Sequence, residues 1–176
     1  MIDIMLDLET MGNGNNAAIA AIGAVNFDLT TGEIGEGFYE VVDLESSVAA
    51  GGVMDVSTVL WWMQQSDTAR AEFKRDGKHI QVALVLFQDY LRSFKDEVSI
   101  WGNGAVFDNV ILKSAYDRGS LTVPWSFKND RCYRTMRAML PKISLPEIAG
   151  THHRAIDDAR WQAQYLIEAW KLCRQN

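Results

Sequence analysis

Ile2-Asp3-Ile4-Met5-Leu6-Asp7-Leu8, continued by Glu9 and Thr10, is the run from which the rest of the chain can be read outward. From Ile2 to Leu8 it is nearly all apolar and lacks strict alternation, so it reads as a strand covered on both faces. Met11-Gly12-Asn13-Gly14-Asn15-Asn16 behind it has the composition of a loop. Ala17 to Phe27 is a second apolar stretch, Asp28-Leu29-Thr30-Thr31-Gly32 a hairpin turn, and Ile34 to Val42 a third strand. The opening is therefore an antiparallel three-strand meander. Helical periods follow over Ser57–Gln65 and over Ile80–Phe94, where Val82, Leu84, Val85, Leu86, Tyr90 and Leu91 make an amphipathic pattern. Val98 to Trp101 is a short strand running into Gly102-Asn103-Gly104. Phe107–Arg118 reads as a helix ended by Gly119, Arg131–Leu140 as a helix stopped by Pro141, and the last helix spans about Ala155–Leu172. Strands first, then strands alternating with helices, predict an α/β domain: a mixed β-sheet, meander plus parallel strands, flanked by helices.

Three segments carry candidate chemistry. Asp7 and Glu9 are two apart at the end of the first strand, so both side chains lie on one face. Two close, half-buried carboxylates repel each other and lose hydration, which a hard cation such as Mg²⁺ or Mn²⁺ compensates. Asp108 opens a helix just after a strand and a glycine turn, a place where a helix dipole favours an acid in any protein. The third segment is His152-His153-Arg154-Ala155-Ile156-Asp157-Asp158-Ala159. Ala155 and Ala159 share a helix face, and small side chains there let that helix lie close to the sheet. Two registers compete, His152 with Asp157 or His153 with Asp158. Asp158 lies near the alanine face, whereas Asp157 points about 100° away, so His153 and Asp158 are the expected pair.

Composition bounds these readings. The 176 residues suit one domain, 1–176, with an ordinary soluble mix of 48% hydrophobic and 23% charged residues. No apolar run approaches the ~20 residues of a membrane helix, and the N-terminus does not resemble a secretory signal. Cys132 and Cys173 form no C-x-x-C pair, and two unpaired thiols point to a reducing, cytoplasmic setting. The net charge of −6 suits a large sequence-specific DNA binder poorly. It suits a nuclease whose carboxylates hold metal, because divalent ions supply the positive charge that attracts a phosphodiester.

Together, Asp7-Leu8-Glu9-Thr10, Phe107-Asp108 and His153-x-Ala155-x-x-Asp158-Ala159 resemble the DEDDh family of 3′–5′ exonucleases over nearly the whole chain. Asp7 to Gly12 and Ser57 to Ser66 look more specifically like the phage exonuclease A branch, to which a mycobacterial 3′–5′ exoribonuclease is related. In many relatives Asn stands four residues before the second-motif Asp; here that place is Gly104, and Asn103 lies one earlier. The resemblance implies a ribonuclease H-like fold, two metal ions (Mg²⁺ or Mn²⁺), and 5′-mononucleotides as product. It casts Asp7 as the ligand shared by both ions, Glu9 and Asp158 as completing one, Asp108 as holding the other, and His153 as general base. Single-stranded DNA or RNA 3′ ends are the implied substrates, DNA weakly favoured by the phage-like segments, and dimers are frequent enough in the family to admit a homodimer.

Thr10 and Met11 follow the metal pair directly and are expected at the terminal nucleotide. Trp61 and Trp62 are adjacent and cannot share a helix face; one is expected in the core and the other, taken as Trp61, as a stacking surface. Two other classes were weighed. Gly12-Asn13-Gly14-Asn15-Asn16-Ala17 fits the dinucleotide fingerprint G-x-G-x-x-A, but strand, turn and strand follow it where a helix should open, and Asp7 and Glu9 would repel a pyrophosphate. A non-catalytic nucleic-acid-binding or scaffold protein on the same fold would be expected to have lost some of the five site residues, and all five are present.

Overall fold

The computed structural model describes residues 1–73, 75–145 and 150–175. Its sheet has five strands in the order β3-β2-β1-β4-β5, formed by β1 (Ile2–Thr10), β2 (Ile19–Phe27), β3 (Ile34–Val41), β4 (Val98–Gly102) and β5 (Asp130–Cys132). β1 to β3 pair antiparallel, while β4 and β5 join parallel to β1. The expected meander and parallel extension are both present. The hairpin turn closes as its composition predicts: the Asp28 carboxylate accepts from the backbone N–H of Thr30 and Thr31, and Gly32 takes φ +80°.

Helices cover both faces, which is why β1 carries apolar residues on both of its faces. Alternate residues Ile4, Leu6 and Leu8 pack with Ile80, Leu84 and Phe87 of α4 (Ile80–Arg92) and Ile111, Leu112 and Tyr116 of α5 (Asp108–Arg118). Met5, on the other face, packs with Val25, Trp101 and the side of α7 (Ala155–Gln175) that carries Ala159, Ala163 and Leu166. By the same alternation Asp7 and Glu9 face α7. Register then places Asp7 opposite Gly23 of β2. A Cβ at Gly23 would lie 2.2 Å from the Ala155 carbonyl carbon, so the first turn of α7 rests directly on the sheet backbone beside Asp7.

Several boundaries differ from the sequence reading. The helix expected from Arg131 begins at Tyr133 as α6 (Tyr133–Met139), because residues 130–132 complete a ladder with Ile100–Gly102 instead. α5 does end at Arg118, but Gly119 keeps φ −76° and the left-handed residue is Ser120, at φ +54°. α1 (Leu44–Ala49) and α3 (Asp67–Glu72), six residues each, were not anticipated. Both are too short to show a helical period, although their N-caps Asp43 and Ser66 accept the expected backbone hydrogen bonds. α2 (Val56–Met63) stands where helix was expected. Among the described residues, no helix is long and apolar enough to cross a membrane, and Cys132 and Cys173 are unbonded thiols.

Candidate active site

The carboxylates converge at the C-terminal end of β1. Asp7, Glu9 and Asp158 each offer an oxygen, and those oxygens all lie within 4.8 Å of one another. Asp158 reaches them because Ala155, Ala159 and Ala163 are fully buried against the sheet. Of the two aspartates in the doubled segment, Asp158 is the one brought to Asp7 and Glu9. Asp157 turns the other way, accepting from the Thr151 backbone at 3.1 Å and pairing with Arg154 at 3.4 Å. Asp108 approaches from the other side of β1, where its carboxylate accepts from Leu8 N–H, between Asp7 and Glu9, at 3.2 Å. The preceding loop turns at Gly104 with φ +118°, a conformation that glycine adopts without strain.

The four acids are held at a cost. Burial, then repulsion from Asp108, Glu9 and Asp158, raises Asp7 well above the usual carboxylate range, and the Gln162 amide, donating to it at 2.8 Å, opposes this. Burial with repulsion from Asp158 and Asp108 pushes Glu9 up to about 8. Burial raises Asp108 to about 7 against the backbone N–H groups of Leu8, Asp108 and Asn103, and raises Asp158 to about 6 against the His153 N–H. Glu9 Oε1 and Asp108 Oδ2 are buried with no hydrogen-bond partner among the described residues. Buried acceptors without donors are rare in folded proteins because each costs roughly 1–3 kcal/mol. An all-oxygen, tetra-acidic donor set with orphaned oxygens is what a hard divalent cation fits.

His153 takes φ +62°, and its backbone N–H donates to Asp158 at 2.9 Å. Its ring stands edge-on to Trp61 at 4.9 Å and Trp62 at 5.8 Å, outside the carboxylate cluster. Burial, aided by His152, lowers its pKa. Arg154, the next residue, is clamped: its guanidinium lies 4.6 Å over the Tyr39 ring, 3.6 Å from Glu72 and 3.4 Å from Asp157. Tyr39 donates to the same Glu72 carboxylate at 2.6 Å.

Beside the acids is a cleft of about 450 Å³ lined by Glu9, Thr10, Thr58, Trp61, Trp62 and Phe107, among others. Trp62 is the core member of the pair and pins α2 to β1 by donating to the Thr10 carbonyl at 2.9 Å, whereas Trp61 is 43% exposed. Thr10 lines the cleft, with its hydroxyl bonded to the Gly12 carbonyl at 2.8 Å. Met11, expected beside the substrate, does not line it. Its backbone pairs with Ala18 and Asp55, which turns the side chain into a cluster with Ala18, Ala20 and Trp62. Gln162 was not anticipated, and Thr58 and Phe107, though within the quoted motifs, were not expected in the cleft. Gln162 had a signal, since it lies four residues after Asp158 on the same helix face.

Solved structures that share this architecture include nucleases. The nuclease domain of 3′hExo, a DEDDh family member bound to rAMP, covers 97% of this chain and 92% of its own, with TM-score 0.65 and 15% identity. Escherichia coli exonuclease I in complex with a dT13 oligonucleotide covers 97% of this chain and 40% of its own, with TM-score 0.65 and 17% identity. The fold is thus ribonuclease H-like. In sequence, the exodeoxyribonuclease of Enterobacteria phage T4 is 30% identical over 125 residues, 64% of this chain. The chain spans about half, 54%, of that relative's length. The family model for the Rv2179c-like 3′–5′ exoribonuclease domain matches residues 2–170, and the chain belongs to that family.

Proposed function

We propose that this protein is a 3′–5′ exonuclease that hydrolyses single-stranded nucleic acid from its 3′ end to 5′-mononucleotides, using two divalent ions. The observation that carries this reading is the convergence of Asp7, Glu9 and Asp158 within 4.8 Å, with Asp108 bonded to the backbone between the first two. Asp7, Glu9 and Asp158 would hold one Mg²⁺ or Mn²⁺, and Asp7 with Asp108 the second. When bound, the ions supply a more acidic water and Lewis acidity at the phosphoryl oxygens. Gln162 holds Asp7, and the His153 N–H holds Asp158, in the orientations that a ligand set needs.

His153 is the general base that takes the proton of the attacking water. Its lowered pKa keeps the imidazole neutral and able to accept at pH 7. Its distance from the carboxylates without substrate is compatible with this role, since such geometry commonly tightens on binding. Trp61 and Thr10 line the cleft where the terminal nucleotide would sit, Trp61 offering a flat face for a base of either sugar. The substrate class takes in both sugars. The family is described as an exoribonuclease domain and the phage relative as an exodeoxyribonuclease.

A time course on matched single-stranded DNA and RNA, labelled at the 5′ end, with Mg²⁺, Mn²⁺ or chelator, tests the proposal. Stepwise shortening from the 3′ end, with mononucleotide release that chelator abolishes, is the expected result. No release from either sugar with either ion would overturn it.

A further inference from the structure

Charge along this chain is segregated. Between residues 119 and 145 there are five bases, Lys128, Arg131, Arg134, Arg137 and Lys142, against one acid, Asp130, a net +4. The remaining residues carry twelve bases against twenty-two acids, a net −10. Asp130 does not offset its neighbours, because its carboxylate is consumed inward. It accepts from Asn109 Nδ2 and Trp125 Nε1, each at 2.9 Å, and pairs with Lys113. Among the described residues none of the five bases forms an ion pair, and all but Arg131 are exposed. An unpaired basic strip on an otherwise acidic body is costly to maintain through like-charge repulsion and favours a polyanion.

Two of these bases bring the strip to the carboxylates. Arg134 and Arg137 are three apart on α6, so they share a face with side-chain origins about 5–6 Å apart. Arg134 donates to the Asn103 carbonyl at 2.9 Å, in the loop that leads to Asp108. Arg137 lies over the Tyr165 and Trp161 rings, 4.9 and 5.8 Å from their centroids, and Trp161 adjoins the Gln162 that holds Asp7. Both guanidinium groups are thus positioned by packing, with less side-chain entropy to lose on binding. Farther along, Phe127 is 74% exposed next to Lys128, the pairing of ring and cation that single-strand surfaces use.

We propose that the α6 edge is a track for the sugar–phosphate backbone of single-stranded nucleic acid, with Arg134 nearest the cut and Arg137 beyond it. The proposal rests on the exonuclease reading, and its test separates the two. Arg134→Gln/Arg137→Gln is compared with wild type on a 5′-labelled strand of about 20 nucleotides, longer than the ~16 one such groove covers, and on a dinucleotide. The ratio of kcat/KM between long strand and dinucleotide should fall about tenfold or more. The salt slope of log(kcat/KM) for the long strand should weaken by about 1.4, roughly 0.7 for each lost phosphate contact. Arg134→Lys/Arg137→Lys should recover most of both. An unchanged ratio and slope, or an equal loss on the dinucleotide, overturns the track. Anisotropy titration of the same long strand reads the surface without turnover. If the wild type releases no nucleotide yet its binding weakens in the Gln variant and recovers in the Lys variant, the exonuclease reading fails and the track stands; if binding is the same in all three, the track fails.

Discussion

Gly23 is the residue on which the distance between α7 and the sheet depends, and Gly23→Ala puts that to a quantitative test. It pairs with Asp7 across β1 and β2, directly beneath the first turn of α7. A Cβ there would lie 2.2 Å from the Ala155 carbonyl carbon, 2.3 Å from Ile156 N and 2.6 Å from the Ala155 oxygen. All three are backbone atoms, so no side-chain rotation can relieve the clash. Contacts under 3.0 Å are essentially never seen and ordinary contact begins near 3.4 Å, so the helix must retreat by about 0.8 to 1.2 Å. Asp158 and the segment carrying His153 move with it, away from an Asp7–Glu9 pair whose oxygens are now within 4.8 Å of Asp158.

A misplacement of about 1 Å at reacting groups costs on the order of 100-fold in rate, and overpacking costs about 1–3 kcal/mol of stability. The assay is kcat/KM on a 5′-labelled single strand with saturating Mn²⁺, at a temperature where circular dichroism shows the variant folded. A loss of about 100-fold is expected, with weaker Mn²⁺ binding by calorimetry. Gly37→Ala is the control under the same helix. Its Cβ would meet chiefly the Ile156 Cδ1 at 2.7 Å and the Arg160 Nη2 at 3.2 Å, ends of flexible side chains, so a much smaller loss is expected. Activity of Gly23→Ala within threefold of wild type would refute the close-approach argument.

Asp158→Asn should lower kcat by about 10²-fold or more with the fold intact, because an amide is a weaker ligand for a hard cation than a carboxylate and metal stabilisation of the developing charge is worth several kcal/mol; substantial activity in that variant would show that Asp158 is not a ligand. Glu72→Gln loosens the clamp on Arg154 and should lower kcat about tenfold in the wild type but not further in a His153→Ala background. Equal losses in both backgrounds would mean that Glu72 acts on stability and not through His153. Without metal, Glu9, Asp108 and Asp158 at about 8, 7 and 6 keep protons that the unfolded chain has released above about pH 4. Their contribution to stability is therefore lost as pH rises from about 4 to 8, and the rise in Tm on adding Mn²⁺ should be larger at pH 8 than at pH 5.5. Thermal melts showing an equal or smaller rise at pH 8 would contradict the cage.

Sequence pattern reached the features that depend on local alternation. Period two along β1 put Asp7 and Glu9 on one face, and the alanine stripe of α7 selected Asp158 over Asp157. It failed where the deciding contact is remote in the chain. Met11 looks like the next residue of a substrate wall, but pairing with Ala18 and Asp55 turns it into the core. Gln162 reaches Asp7 across 155 residues of chain; its place four residues after Asp158 sets its helix face, but only the folded contact makes Asp7 its partner. The six-residue helices α1 and α3 are shorter than the window in which a period can be counted. Gly23 sits in an apolar strand where its lack of a side chain has no local signature; only the helix above it explains the residue.

Net charge illustrates the same limit from the other side. A total of −6 argues against a polyanionic substrate only if charge is spread evenly, and here it is not. Four acids are brought together, where burial has already weakened their ionisation and repulsion adds to this at Asp7 and Glu9, and two buried oxygens among them have no donor among the described residues. Two divalent ions would neutralise that region, because they would bring +4 to a site whose fully ionised acids total −4. The basic strip on α6 then adjoins a neutralised cage instead of an acidic one. Phosphate affinity should accordingly depend on metal most strongly next to the cut and least along α6. Arg134→Gln/Arg137→Gln and Asp7→Asn should therefore weaken binding by separable routes, the first sensitive to monovalent salt and the second to divalent ion concentration.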